Sequence, residues 1–158
     1  LQMLKRNLIL GLASLVAIAV VSLDASAQDP SPRFGRWQMD SNNPPPSINI
    51  MTYEAYGDGG MQITVASTNA RGQDSEWGYS TMFDGEFHPV RGQEGSQTAV
   101  EFVNETTTRI SNMRNGRVTQ VIINILSEDG NLIDNEYIRM DADGKITGVS
   151  HAVYRRIQ

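Results

Sequence analysis

The sequence predicts an all-β domain, an antiparallel up-and-down barrel of about eight to nine strands, with a two-sheet β-sandwich as the alternative. Three observations carry that prediction. Asp-Gly or Asn-Gly pairs stand at 84, 115, 129 and 143, and such pairs fill two-residue hairpin turns because both central positions accept positive φ. Apolar and polar residues alternate with period two, as in Met61, Ile63 and Val65 against Gln62 and Thr64, the spacing that sends successive side chains to opposite faces of a strand. No stretch beyond the leader has helical periodicity long enough to cover a sheet, so the strands must bury their apolar faces against one another. Connection by hairpins alone favours the barrel, since a sandwich usually needs long crossovers.

Taken in order, the chain opens with Lys5 and Arg6, an apolar run from Leu8 to Leu23, and Ala25-Ser26-Ala27. A positive flank, an apolar core and small residues at a cleavage position predict a secretory signal peptide over residues 1–27. The run is shorter than the roughly twenty residues that a spanning helix needs. The expectation is therefore a cleaved leader, a periplasmic or extracellular location, and no membrane span thereafter. Residues 28–33, with Pro30 and Pro32, read as an unstructured tail, and residues 34–158 as the barrel domain.

Phe34 to Met39 reads as the first strand. Pro44-Pro45-Pro46 then forces an extended loop, because three prolines remove three amide donors and restrict φ. Strand-like stretches follow at 47–56, 61–68, 76–83, 86–90, 97–103, 106–114, 117–127, 131–141 and 145–157, each bounded by Gly, Asn or Asp. In the fourth strand Trp77, Tyr79, Thr81 and Phe83 share a face; in the eighth, Val121, Ile123 and Ile125 form the expected inward row, while Ile122 and Leu126 put bulk on the second face too, so that strand reads as one that can be covered on both sides.

Removal of residues 1–27 would leave 131 of 158 residues, enough for one domain with a real core. Lys5, Arg6 and Asp24 would go with it, leaving 11 of 13 basic and 17 of 18 acidic residues. So acidic a chain, with its cations scattered, is not built to track a phosphate backbone, and no nucleic-acid partner is expected. Cysteine is absent, which excludes disulfides, thiolate metal sites and a thiol nucleophile.

At Gly35-Arg36-Trp37 the chain resembles the Gly-x-Trp opening of lipocalins and their calycin relatives. In those proteins the tryptophan plugs the closed end of the barrel and an arginine from the last strand packs across it. The resemblance implies that Trp37, preceded by Gly35, is such a plug, with Arg155 or Arg156 over its ring. The chain lacks the family's Thr-Asp-Tyr motif, its disulfide and its carboxy-terminal helix, so what is implied is a lipocalin-like shell. Ile50-Met51-Thr52-Tyr53-Glu54, Gly57-Asp58-Gly59 and Trp77-Gly78-Tyr79 also resemble segments of a group of small secreted bacterial proteins to which no activity is attached.

Chemistry-bearing motifs are few. His88 and His151 are far apart and form no His-x-His or His-Glu-x-x-His arrangement; one of them holding haem iron is the single chemical alternative. We assign no metal, no cofactor and no catalytic residue from the sequence. Glu101 with Glu105, and Asp134 with Glu136, read as solvated strand faces rather than acid–base pairs. Asp141-Ala142-Asp143-Gly144 opens like a calcium loop, but Ala152 stands where a bidentate glutamate is required, and a hairpin turn explains the same residues. Asn104-Glu105-Thr106 matches a glycosylation acceptor by its letters alone.

The aromatic inventory points to the interior. Met51, Tyr53, Trp77, Tyr79, Phe83, Tyr137 and Tyr154 are the expected barrel lining, a mixture of apolar bulk and hydroxyl handles suited to holding a small apolar molecule. The leading expectation is therefore a non-enzymatic carrier or sequestering module. A filled core would instead favour an interaction domain with an envelope or extracellular protein as partner. An isomerase or cyclase is the third possibility; it needs a buried ionisable group, for which Arg109, Glu136 and Arg139 are the candidates. Interior volume separates these, with a cavity of at least about 300 Å³ favouring ligand binding.

Overall fold

The computed structural model describes residues 31–158, and the expected leader and residues 28–30 of the expected tail lie outside them. Ten strands follow one another: β1 (Gly35–Met39), β2 (Ile48–Tyr56), β3 (Gly60–Thr68), β4 (Asp74–Thr81), β5 (His88–Pro89), β6 (Ser96–Phe102), β7 (Thr107–Arg114), β8 (Arg117–Leu126), β9 (Leu132–Met140) and β10 (Ile146–Arg156). The ten strands fall on the ten strand-like stretches, with 86–90 reduced to the two-residue β5, and so number one more than the upper bound of the expected eight to nine. There is no helix among the described residues.

All ten strands belong to one antiparallel sheet in the order β4-β3-β2-β1-β10-β9-β8-β7-β6-β5. The short β1 is therefore central, with Trp37 facing Met51 of β2 on one side and Arg156 of β10 on the other. The sheet curls until its two edges meet. Gly78 of β4 and Arg91, just beyond β5, exchange backbone hydrogen bonds of 3.1 and 2.7 Å, and Asp84 bridges to Glu101. The result is a nearly closed calycin-like barrel with a thin seam. Gly78 is needed there: a Cβ would come within 2.5 Å of the Ile63 carbonyl and 2.9 Å of the Arg91 guanidinium.

Hairpins form at three of the four Asx-Gly pairs, but only Asn115-Gly116 fills a two-residue loop as expected, the connections that hold Asp129-Gly130 and Asp143-Gly144 being longer. Arg114 pairs with Arg117 across a two-residue loop in which Asn115 and Gly116 both have positive φ, 49° and 78°, as a primed turn requires. Asp129 accepts hydrogen bonds from the Ser127 hydroxyl at 2.6 Å and the Asn131 N–H at 3.0 Å, which hold its carboxyl below the usual range. Asp141 likewise accepts from the N–H groups of Asp143 and Lys145. Asp84-Gly85 is the exception, because β4 and β5 lie at opposite edges of the sheet and meet only at the seam. Thr81 Oγ1 accepts from the Phe83 N–H, and Phe83 turns to positive φ, so the alternation of β4 ends at Thr81.

The core gathers at one end of the barrel, where Trp37, Ile133 and Tyr154 pack with Tyr53, Met61, Ile63 and Leu126. Into this end projects Arg33, part of the stretch expected to be unstructured, which is 2 % exposed. The expected inward row of β8 is also reversed. Gln120, Ile122, Asn124 and Leu126 face in, whereas Ile125 is exposed and Val121 and Ile123 are half-buried on the other face. Alternation alone gives β8 two self-consistent faces, and the polar one is inside because Asn124 meets Arg33 and Asn135 there.

Candidate ligand-binding cavity

Inside the barrel is a cavity of about 500 Å³. The register of the hairpins sets its walls, since paired residues on neighbouring strands share a face. Met51 and Tyr53 of β2, Ile63 and Val65 of β3, and Trp77 and Tyr79 of β4 make one wall. Thr98, Asn112, Gln120, Asn124 and Asn135, together with Ile110, Met113 and Ile122, make the opposite one from β6 to β9. Tyr137 and Tyr154 complete the lining from β9 and β10. A second depression, between the 40–47 and 69–75 loops, is lined by mainly exposed polar residues and lies apart from the aromatic interior.

One end is sealed. Trp37 is fully buried and donates its indole N–H to the Arg33 carbonyl at 2.9 Å. The Arg33 guanidinium donates to Asn124 Oδ1 and, at 2.5 Å, to the Thr106 carbonyl. Asn124 passes the chain on to Asn135 Oδ1 at 2.7 Å, and Asn135 to the Tyr137 hydroxyl at 3.3 Å. The guanidinium thus closes the floor with a polar network rather than a counter-ion; among the described residues no carboxylate pairs with it.

Burial shapes the ionisation of these groups. Desolvation lowers the Arg33 pKa, opposed by charge interaction with the nearby Tyr53 and Tyr79 phenol groups. Burial pushes the Tyr53 phenol up to about 12, with Arg33 pulling the other way. Tyr79 and Tyr154 are pushed up as well, in each case chiefly by desolvation. The phenols are therefore neutral hydrogen-bonding groups across the ordinary pH range.

Six of the seven expected lining residues face the cavity: Met51, Tyr53, Trp77, Tyr79, Tyr137 and Tyr154. Phe83 does not; it lies past the end of β4 and stacks on Phe102, ring centroids 4.2 Å apart. Of the two arginines considered for the plug, Arg156 lies over Trp37, and Arg155 points outward to Asp40 at 2.8 Å. Gly35, at φ 129°, has no room for a Cβ, which would collide with the Gln158 carbonyl.

The ionisable candidates for an isomerase or cyclase, Arg109, Glu136 and Arg139, are not gathered in the cavity. Arg109 pairs with Glu101 on the outer surface at 2.5 Å, and Arg139 lines the open end. Glu136 joins Asp134 and His151 on the outer face, their ligand atoms within 4.8 Å of one another, with His151 Nε2 2.6 Å from Asp134. His88 stands on a different strand. Sequence reasoning missed Arg33, Asn124 and Asn135; an arginine between prolines and Trp37, and asparagines inside apolar strands, were the available signals.

A sealed floor, an open mouth and an unfilled aromatic interior define a calycin-like barrel with an internal cavity. Solved structures resemble it in fold. One is the fatty acid binding protein of Schistosoma mansoni in complex with arachidonic acid, at 11 % identity, covering 81 % of this chain and 98 % of that one, with a TM-score of 0.57. Another is the fluorescent protein UnaG, whose wild-type form aligns at 12 % identity over 78 % of this chain and 96 % of that one, TM-score 0.53. A point mutant of UnaG aligns at 11 % identity over 80 % and 97 %, TM-score 0.55. No protein-family model matches the sequence, and no curated protein matches it significantly.

Proposed function

We propose that this chain is an exported binding protein that carries or sequesters a small, largely apolar molecule inside its barrel, without covalent chemistry. The observation that carries this reading is the cavity of about 500 Å³, within the roughly 300–1,000 Å³ usual for small-molecule sites. Support comes from the fold neighbour solved with arachidonic acid. Export rests on the leader-like residues 1–27. Native mass spectrometry of the protein purified from its own host should reveal a retained small molecule, and cell fractionation should place it in the envelope or medium. An apo mass, combined with no uptake from a total lipid and metabolite extract, would remove the ligand reading.

A second reading, a partner-binding shell, is favoured by exposed Met82, Phe102 and Val103 near the sealed end. Substituting all three with serine should abolish co-purification of a specific protein if that reading is right, and leave cavity binding unaltered.

A further inference from the structure

The two cavity walls differ in chemistry, and the charge inside differs from that of the whole chain. The β2–β4 wall is apolar and aromatic, with the Trp77 and Tyr79 rings within 15° of parallel and their centroids 6.3 Å apart. The facing wall is mixed: Ile110, Met113 and Ile122 line it together with carboxamides and hydroxyls that are already ordered across the strands. Thr98 donates to Asn112 at 2.8 Å and Asn112 to Gln120 at 2.9 Å, while Asn124 and Asn135 continue the row toward the floor. Asn49, near the mouth, lines the cavity with a buried Oδ1 that has no partner among the described residues.

Among the described residues no aspartate or glutamate lines the cavity, in a chain with 18 acidic against 13 basic residues. Two arginines do, Arg114 and Arg139, both at the open end and neither paired with a carboxylate among the described residues. Arg33 adds a third positive charge beneath the floor. The cavity is thus electropositive inside an acidic protein, an arrangement that concentrates anions and repels cations.

A saturated chain lying across this space would meet Ile110, Met113 and Ile122 but would also press methylenes against the carboxamides beside them, stripping water from their remaining donors and acceptors without replacing those hydrogen bonds. A flat conjugated molecule avoids that cost: its face packs on Trp77 and Tyr79 while ring substituents reach the amides at its edge. Resting on the ligand-binding reading above, we propose that the cavity selects a planar aromatic or conjugated anion. Its acidic group sits at the mouth between Arg114 and Arg139, and its rings lie between the aromatic and carboxamide walls.

Three probes separate the contributions, applied to protein from expression of the full chain. These are 1-anilinonaphthalene-8-sulfonate, its uncharged counterpart N-phenyl-1-naphthylamine, and oleate, an aliphatic anion, each titrated by calorimetry. The sulfonate is expected to bind with one-to-one stoichiometry and at least about tenfold more tightly than either of the others, the factor expected for one well-placed charged or stacking contact. Arg114→Gln with Arg139→Gln should remove most of the advantage over N-phenyl-1-naphthylamine and leave the latter's affinity unchanged; both positions are exposed, and circular dichroism verifies folding. Equal affinity for the two naphthalene probes overturns the anion requirement. Oleate binding as tightly as the sulfonate overturns the aromatic requirement while leaving the ligand-binding reading intact. Binding of none of the three overturns the inference and counts against that reading as well.

Discussion

The guanidinium carbon of Arg156 lies 4.1 Å from the centroid of the Trp37 ring, joining the last strand to the first across the sealed end. The same side chain donates to the carbonyls of Gly130 at 2.8 Å, Phe34 at 2.7 Å and Pro32 at 2.5 Å. One arginine therefore satisfies carbonyls from two other segments while it covers an aromatic face, which a lysine's compact ammonium cannot reproduce.

Trp37→Ala should lower unfolding free energy by about 3–5 kcal/mol, as for other large-to-small changes at fully buried aromatic sites. Urea denaturation measures it. Affinity for a cavity probe should change little in the folded fraction, because Trp37 belongs to the plug and does not line the cavity. A loss below about 1 kcal/mol would contradict the plug assignment.

The two neighbouring arginines should behave differently. Arg156→Lys is expected to cost about 1–3 kcal/mol from its lost hydrogen bonds and ring contact, whereas Arg155→Lys should fall within about 0–1 kcal/mol, as its pair with Asp40 is solvent-exposed. Thermal melts of the two variants side by side make the comparison; equal losses would refute it.

Arg33 and Asn124 should prove strongly coupled. Asn124→Leu removes the side-chain acceptor of the Arg33 guanidinium while the Thr106 carbonyl remains, a loss of about 1.5–3 kcal/mol for a hydrogen bond to a charged group. Arg33→Leu removes the charged donor from Asn124 Oδ1 and the Thr106 carbonyl, which keep the Thr108 hydroxyl at 3.5 Å and the Leu126 N–H at 2.8 Å, so the loss is that of hydrogen bonds to a charged group, about 1.5–3 kcal/mol. The double variant should be more stable than the sum of the single losses predicts, and a double-mutant cycle that closes additively would show that the network does not act as a unit.

Alkaline pH should destabilise the fold. Tyr53, Tyr79 and Tyr154 all have phenol pKa values raised by burial, Tyr53 from near 10 to about 12. A raised folded-state pKa means that the native state holds the proton more tightly than the unfolded chain. The stability so contributed is intact below about pH 10 and is lost as pH rises through 10 toward 12 and beyond. Each phenol steepens the decline by up to about 1.4 kcal/mol per pH unit. Tyr79→Phe should flatten the curve between about pH 10 and 12, as read from denaturation at fixed pH; an unaltered slope would mean that Tyr79 is not held neutral.

Much of the shell is legible in the sequence because hairpin chemistry is local. Asn115-Gly116 dictates a primed turn from its own φ preferences, and Met61, Ile63 and Val65 do alternate inward. Phe83 falls outside the expected row because alternation stops at Thr81, where the chain turns. The facing of β8 is not legible, since its stretch from Val121 to Leu126 has apolar residues on both faces, and only the neighbouring Arg33 decides which face is inside.

By itself, then, the amino-acid sequence determined an antiparallel β-meander, most of its turns, and the aromatic residues that became one cavity wall. Each of these depends on φ preferences and side-chain alternation within a few residues. Tertiary structure decided the rest: that β1 and β10 pair, that Gly78 and Arg91 close the seam, that Arg33 is buried, and that carboxamides face the aromatic wall. Those outcomes hinge on partners as far apart as the 124 positions between Pro32 and Arg156. A polar side chain becomes an interior residue only when such a distant partner satisfies it.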